Sequence, residues 1–389
     1  MKKIISILTA TRAEYGLLKP IIAKLNTIDE FDVRIVATGA HLSPEFGLTY
    51  REIEKDGFVI DEKIEILLSS DTPSSISKSM GLAMISFADY FEKLNPDLLI
   101  VLGDRYETLA VATTAMNHRI PIAHLYGGET TEGAIDESIR HAITKLSYLH
   151  FTSTDEYGKR VVQLGENPER VFNVGAIGIE NIINEKLLQK EELENELNIS
   201  LSKPYAVVTF HPVTLENNSS EKQIESLLEV CKEYTKLNFI YTKANADAEG
   251  RIINQLIDNY ARENENILAF TSLGMRRYLS ALKYCSMVIG NSSSGLLEAP
   301  SFAIPTVNIG DRQKGRLQAS SVINCEPTQE SIRQALELAL SEEFVQKAKV
   351  TVNPYGNGDT SDKVIEVIKE YLINDKIDLK KKFYDCEVK

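Results

Sequence analysis

What most constrains this chain is a recurring short apolar run, rich in β-branched residues, each time followed by a loop and a helix-like stretch. IISIL, VRIVAT, LLIVLG, IPIAHLY, LHFTST and VFNVG set the rhythm; after the charged, helix-prone EKLLQKEELENELNI it restarts with YAVVTF, NFIYTK, ILAF, CSMVIG and PTVNIG. Strands buried on both faces read as continuous apolar runs, and strands alternating with helices build parallel sheets. The chain therefore reads as α/β, with two Rossmann-like, doubly wound domains, which a length of 389 residues suits. The expected boundaries are 1–175 and 176–360, with an amphipathic helix over 361–385, containing DKVIEVIKEYLI, packing back on the first domain. Two such domains facing each other would leave a cleft at the carboxyl ends of their strands, where open α/β sheets bind ligands. The residues after each strand carry the functional reading.

Composition narrows the ligand. A net charge of −13 argues against general affinity for nucleic acid, which needs clustered Lys and Arg, whereas a nucleotide-sized anion needs only local positive charge. Cys231, Cys285, Cys325 and Cys386 form no CxxC pair, so neither zinc nor a disulfide framework is indicated, and a reducing cytoplasm fits. The opening MKKIISILTATRAEYG runs straight into Arg12 and Glu14 and reads as a first strand rather than a signal peptide. No apolar run approaches the ~18 residues that span a bilayer.

Polar groups concentrate at the strand ends. TATRAEYG places Arg12 where it can reach a phosphate, or stay solvated on an ordinary turn, and the absence of GxGxxG weakens a dehydrogenase reading. GDRYE puts Asp104, Arg105 and Glu107 on one tight turn; a capping box would explain the two acids but not Arg105. HLYGGETTEGAIDESIRHAITK carries Glu129, Glu132, Asp136 and Glu137 with two histidines and a glycine pair. On a helix beginning near Ala134, Asp136, Arg140 and Ile143 would share one face, and Glu137 and His141 another. Acids at a helix N-terminus account for Asp136 and Glu137 but not for GGE. His211-Pro212 closes YAVVTF, making His211 a candidate ligand contact or general acid.

IGNSSSGLLEAP sits where α/β hydrolases hold a nucleophilic serine, yet Gly290 and Gly295 lie five apart and the last histidine of the chain is His211. Both the GxSxG register and the Ser, acid, His order fail. What remains is a loop of backbone N–H groups and hydroxyls opening a helix, an arrangement that binds phosphate. Arg312, Lys314 and Arg316 in NIGDRQKGR and Arg276 and Arg277 in SLGMRRYL put positive charge in the same domain.

Taken in order and spacing, TATRAEYG, VLGDRYE, YGGETTEGAIDESIRHAITK, the HP of TFHP, GNSSSGLLEAP and NIGDRQKGR resemble the hydrolysing UDP-N-acetylglucosamine 2-epimerases, over nearly the whole chain. The likeness is to the bacterial sialic-acid-pathway branch, since Leu17 stands where the non-hydrolysing branch has a lysine. The resemblance implies a glycosyltransferase-B-like pair of domains, a usually oligomeric enzyme (a homo-dimer or tetramer), and no metal or nicotinamide cofactor. It implies that a base removes the C2 proton as UDP leaves C1, and that water then adds to the resulting 2-acetamidoglycal. By motif position Asp104, Glu129 and Asp136 are the implied acid-base set, and His211 contacts or protonates the departing diphosphate. Arg12, Arg105 and Arg312 compensate its charge, Ser292 and Ser293 hold phosphate oxygens, Glu298 accepts the ribose hydroxyls, and Asn245 belongs to the same UDP-binding set. The implied products are UDP and N-acetylmannosamine from UDP-N-acetylglucosamine; relatives acting on UDP-2,4-diacetamido-2,4,6-trideoxyglucose make that the alternative substrate. HLSPEFG (41–47), Thr130 and Thr131 are candidate sugar contacts. A glycosyltransferase of the same architecture and a noncatalytic nucleotide-sugar binding protein are the rival readings, and neither needs Asp104, Glu129 and Asp136 together.

Overall fold

The computed structural model describes residues 2–68, 72–130, 135–211, 220–243, 250–271 and 273–386. The chain divides into two compact units, one of Met1–Asn181 with Tyr355–Lys389 and one of Ile182–Pro354. The first holds β1 (Lys3–Thr9), β2 (Phe31–Thr38), β3 (Ile60–Ile64), β4 (Leu98–Leu102), β5 (Ile122–Leu125), β6 (Leu149–Thr152) and β7 (Val171–Asn173). They form one parallel sheet in the order β3-β2-β1-β4-β5-β6-β7. The second holds β8 (Tyr205–Thr209), β9 (Asn238–Thr242), β10 (Ile267–Phe270), β11 (Met287–Gly290), β12 (Thr306–Ile309) and β13 (Val322–Cys325). Its parallel order is β10-β9-β8-β11-β12-β13. Each unit is thus a doubly wound Rossmann-like sheet, as the apolar runs imply.

The same winding puts a topological switch point in each unit, between β1 and β4 in the first and between β8 and β11 in the second. Strand order reverses there, the crossover helices diverge to opposite faces, and a crevice opens at the carboxyl ends. The central strands are fully buried: every residue of β4 and of β8 is, with Leu98, Leu99, Ile100 and Val101 contributing alternately to the two faces of the first sheet. The second sheet is closed on one side by Ile224, Leu227, Leu228, Ile253, Ile257, Ile332 and Leu336.

β3 and β13 are absent from the sequence reading. Both are edge strands, IDEKI and VINC, with exposed positions in each, so neither makes the continuous apolar run that marks a strand buried on both faces. The C-terminal helix also departs from 361–385: it runs Thr360–Ile373 and gives way to an irregular tail through Cys386. Val364, Ile368 and Leu372, four residues apart, seat it against Leu18, Ile21, Ile22 and Leu25 of the Arg12–Leu25 helix. That apolar spacing stops at Leu372, and with it the stripe that holds the helix on the unit. Among the described residues, no helix is long and apolar enough to cross a membrane.

Candidate active site

In the first unit the loop after β4 brings Asp104 and Arg105 to the Tyr106–Asn117 helix, and the loop after β5 brings Gly127, Gly128 and Glu129 toward the Ile135–Leu146 helix. Arg140 joins the two loops. Its side chain is 4% exposed and donates to Asp104 Oδ2 from Nε (2.9 Å) and from Nη2, to the Glu129 carbonyl from Nη1 (2.7 Å), and to Glu137 Oε2 (2.8 Å). Only a planar guanidinium offers that many donors at fixed angles. Glu137 Oε1 continues the network to His141 Nε2 at 3.1 Å, and the Glu129 carboxylate accepts from Ser153 Oγ, just past β6, at 2.6 Å. Asp136 is half-buried in the first turn of the same helix.

One local expectation changes and another is extended. The Tyr106–Asn117 helix is capped at Arg105 with no side-chain bond, so Asp104 and Glu107 form no capping box: Asp104 turns to Arg140, and buried Glu107 takes Arg105 Nε at 2.5 Å. On the Ile135–Leu146 helix Glu137 and His141 meet as their shared face implies, while Arg140, placed with Asp136 and Ile143 on another face, also reaches Glu137, one turn back. The glycine pair has a packing reason as well. Gly128 sits at φ +80°, and a Cβ there would lie 2.2 Å from the Tyr157 carbonyl oxygen. Arg12 opens its helix 73% exposed and paired with Glu52 at 3.1 Å. His41, the first residue of HLSPEFG, is fully buried between Thr9 Oγ1 and Thr49 Oγ1, each at 2.9 Å, which removes it as a sugar contact. Thr131, Glu132, Ala134, Pro212 and Asn245 lie outside the described residues.

Beside Arg105 stands a carboxyl the sequence reading passed over. Glu14 is buried, accepts from the Ala10 and Thr11 amides at 2.7 and 3.3 Å in a capping box with Thr11, and its Oε1 lies 4.0 Å from Arg105 Nε. Glu14 Oε1 and Glu107 Oε2 have no hydrogen-bond partner among the described residues. Burial above all, then nearby Glu107, pushes the Glu14 carboxyl up to about 7, against the pull of the Ala10 amide and Arg105. The folded chain therefore binds a proton there that the unfolded chain releases at ordinary carboxyl pH. Its stability contribution is present below pH ~4.5 and is lost as pH rises through about 7, by up to about 3 kcal/mol. Glu14→Gln, which mimics the protonated form, is expected to match the native protein at pH 5 and to melt higher at pH 8. Parallel Tm-against-pH curves for the two proteins would place a charged carboxylate at this position.

In the second unit the organising side chain is Asn291, between Gly290 and the serines. Its Oδ1 accepts from the His211 amide at 2.7 Å and its Nδ2 donates to the His211 carbonyl at 2.8 Å, fixing the end of β8 to the end of β11. Its own carbonyl receives Arg312 Nη1 at 3.1 Å and Gln313 Nε2 at 2.9 Å from the loop after β12. Gly290, at φ +132°, presses on β8 so closely that a Cβ would stand 1.9 Å from the Thr209 carbonyl oxygen, which is why only glycine serves there. The helix after the serines is a single turn, Ser294–Leu297, with Ser293 at its N-cap making no side-chain cap bond and Glu298 at its C-cap. Ser292 and Ser293 are half-exposed, while Ser294 turns inward, bonding Tyr278 Oη at 2.7 Å and donating to Glu298. Burial raises the Glu298 carboxyl, so it is no ordinary solvated helix residue. Of the basic set, Arg276 and Arg277 are turned to the carbonyls of Lys186 and Leu273, and Lys314 lies 3.4 Å from Asp311.

A family model described as UDP-N-acetylglucosamine 2-epimerase matches residues 23–369. The chain belongs to that family. Among its relatives, the Campylobacter jejuni GDP/UDP-N,N'-diacetylbacillosamine 2-epimerase (hydrolyzing) is 47% identical over 346 residues, 89% of each chain. Polysialic acid biosynthesis protein P7 of Escherichia coli is 39% identical over 386 residues, 99% of this chain and 98% of that one. The crystal structure of the Neisseria meningitidis UDP-GlcNAc 2-epimerase bound to UDP-GlcNAc superposes with a TM-score of 0.76 over 95% of this chain and 100% of its own, at 18% identity, which bears on the fold alone. The epimerase resemblance read from the six motifs therefore holds, as does the glycosyltransferase-B-like fold class.

Within this chain, three organising residues are not marked as such by the motifs: Arg140, Asn291 and Glu14. Arg140 was visible as a helix-face position without a stated partner. Asn291 lay inside a quoted motif, where the serines beside it carried the reading. Glu14 had the sequence signal of a capping box, Thr11 with an acid three residues on.

Proposed function

We propose that the chain is a hydrolysing 2-epimerase of a UDP-2-acetamido sugar, releasing UDP and the free, C2-inverted sugar. The observation that carries this reading is the convergence of the Asp104 carboxylate and the Glu129 loop on one buried guanidinium, after the neighbouring strands β4 and β5. A binding protein or a transferase has no need of the Asp104 carboxylate and the loop that carries Glu129 locked together in that way, and family membership supports the same choice. The C2 hydrogen has no carbonyl beside it, so a placed base and stabilisation of the leaving group must share the barrier. Asp104, Glu129 and Asp136 carry the proton transfers: one takes the C2 proton as the C1–O bond to UDP breaks, giving the 2-acetamidoglycal. Water then adds at C1, and a proton returns to the opposite face of C2. His211 meets the departing diphosphate, Ser292 and Ser293 hold its oxygens, Arg105 and Arg312 offset its charge, and Glu298 accepts from the ribose, with Asn245 in the same set. Arg12 joins them by exchanging Glu52 for phosphate, a small cost for so exposed a pair.

The 47% relative favours UDP-2,4-diacetamido-2,4,6-trideoxyglucose as substrate. Likeness to the polysialic acid protein favours UDP-N-acetylglucosamine, giving N-acetylmannosamine for sialic-acid-type sugars, as the second reading. Incubation of each in deuterated water is expected to release UDP and a free sugar carrying deuterium at C2. A UDP-linked product, or no label, would remove the hydrolysing mechanism, and comparison of kcat/KM ranks the two sugars. Because the Campylobacter name covers GDP as well as UDP, both diphosphates belong in the assay.

A further inference from the structure

The end of the first sheet away from Asp104 and Glu129 carries a second concentration of charge, of the opposite sign. A cavity of about 480 Å³ opens beside Ile122, where β5 begins, and Tyr148, just before β6, and is roofed by the C-terminal tail. Arg119, Lys145, Lys381 and Lys382 line it together with apolar groups that include Leu379 and Phe383, and among the described residues no acid does. Four cations around one cavity stand out in a chain of net charge −13.

One carboxylate binds two of these cations without neutralising the set. Glu166, fully buried, takes Lys145 at 2.6 Å and Lys381 at 2.7 Å, with His150 Nε2 at 3.1 Å and Arg170 at 4.0 Å. One negative charge therefore serves two ammonium groups and a guanidinium. Arg119 and Lys382 are exposed and have no ion pair among the described residues. Of the tail's own described acids, Asp378 accepts from the Lys380 amide, Asp375 pairs with Lys3, and Asp385 is exposed, outside the cavity lining and without an ion pair among the described residues. The tail is nonetheless firmly placed: Lys381 donates to the carbonyls of Lys145 (3.1 Å) and Ser147 (2.6 Å), Tyr384 N–H to the Gly165 carbonyl at 3.0 Å, and the Phe383 ring lies on Gly165. A preformed concave site with surplus cations and an aromatic wall is how proteins bind a small anion that has a ring.

We propose that this cavity is a second ligand site, taking a small ring-bearing anion whose phosphate or carboxylate head meets Arg119, Lys145 and Lys382, with Lys381 holding the tail in place, and whose ring lies against Phe383 and Leu379. The site is separate from the residues of the proposed reaction, so the two readings stand or fall independently. The test is calorimetric titration of the full chain, in saturating UDP to occupy the nucleotide site, with phenyl phosphate, benzoate, inorganic phosphate and phenol as probes. One equivalent of phenyl phosphate or benzoate is expected to bind, the tighter of the two assigning the head group, while inorganic phosphate binds more weakly and neutral phenol does not bind. Affinity should fall with added salt. Arg119→Ala with Lys382→Ala should weaken binding by about tenfold or more, and Phe383→Ala should weaken the ring-bearing probes but not inorganic phosphate. Both variants leave the Glu166 contacts intact, and an unchanged Tm and unchanged UDP binding show that they fold. Absence of binding by either ring-bearing anion, equal affinity for inorganic phosphate, or unchanged binding by the folded double variant would overturn the proposal.

Discussion

Arg140→Ala is expected to cost about 3 kcal/mol of stability and to abolish turnover together. The side chain is almost wholly buried, and three acceptors from two loops and its own helix depend on it. Alanine removes the cation but leaves Asp104 and Glu137 where they are, each a little over one-quarter exposed, so water recovers part of the loss and the cost falls at the lower end for a broken buried pair. Arg140→Lys should recover some stability, because an ammonium still neutralises Asp104. It should recover little activity, because a point charge cannot hold the Asp104 carboxylate and the Glu129 carbonyl at once. Denaturant unfolding and product release measured on both variants separate the two effects. An alanine variant with native stability would mean that the two loops hold their positions without this cation.

Glu129→Gln is expected to reduce kcat by about 10²–10⁴ while UDP affinity stays within about twofold. The amide keeps an acceptor for Ser153 Oγ, and the bond from Arg140 goes to the Glu129 main-chain carbonyl, which the substitution does not touch. Shape is thus retained, while the charge and the capacity to exchange a proton are lost. Turnover and UDP binding measured on the same preparation make the comparison, since a variant equally weakened in both has lost structure rather than chemistry. Near-native kcat would exclude Glu129 from the proton transfers and leave Asp104 and Asp136 to carry them.

The sequence exposed the parts of this fold whose environment is uniform. Strands such as LLIVL and YAVVT are buried on both faces, and their composition says so, whereas IDEKI and VINC at the sheet edges are largely half-buried or exposed and carry no such signature. The carboxyl ends of the strands were legible as places, because several charges on one tight turn are seldom there for packing. The partners were not. Asp104 and Arg140 are 36 residues apart, and His211 and Asn291 80 apart, so no local spacing rule relates them; winding of the sheets brings them together. Glu107 shows the converse. Local spacing offered it a bland role in a capping box, and in the structure it is buried and holds Arg105 instead.

Asn291 bears on how tightly the second unit would hold the diphosphate we propose for it. Through one side chain and one carbonyl it couples the ends of β8 and β11 to the loop after β12. Three segments that would otherwise each lose conformational freedom when a ligand arrives are already fixed with respect to one another during folding. The entropy of ordering them is settled before any phosphate arrives, so more of each serine and arginine contact is available as binding free energy. Affinity in the second unit then depends on an amide that need not touch the ligand at all.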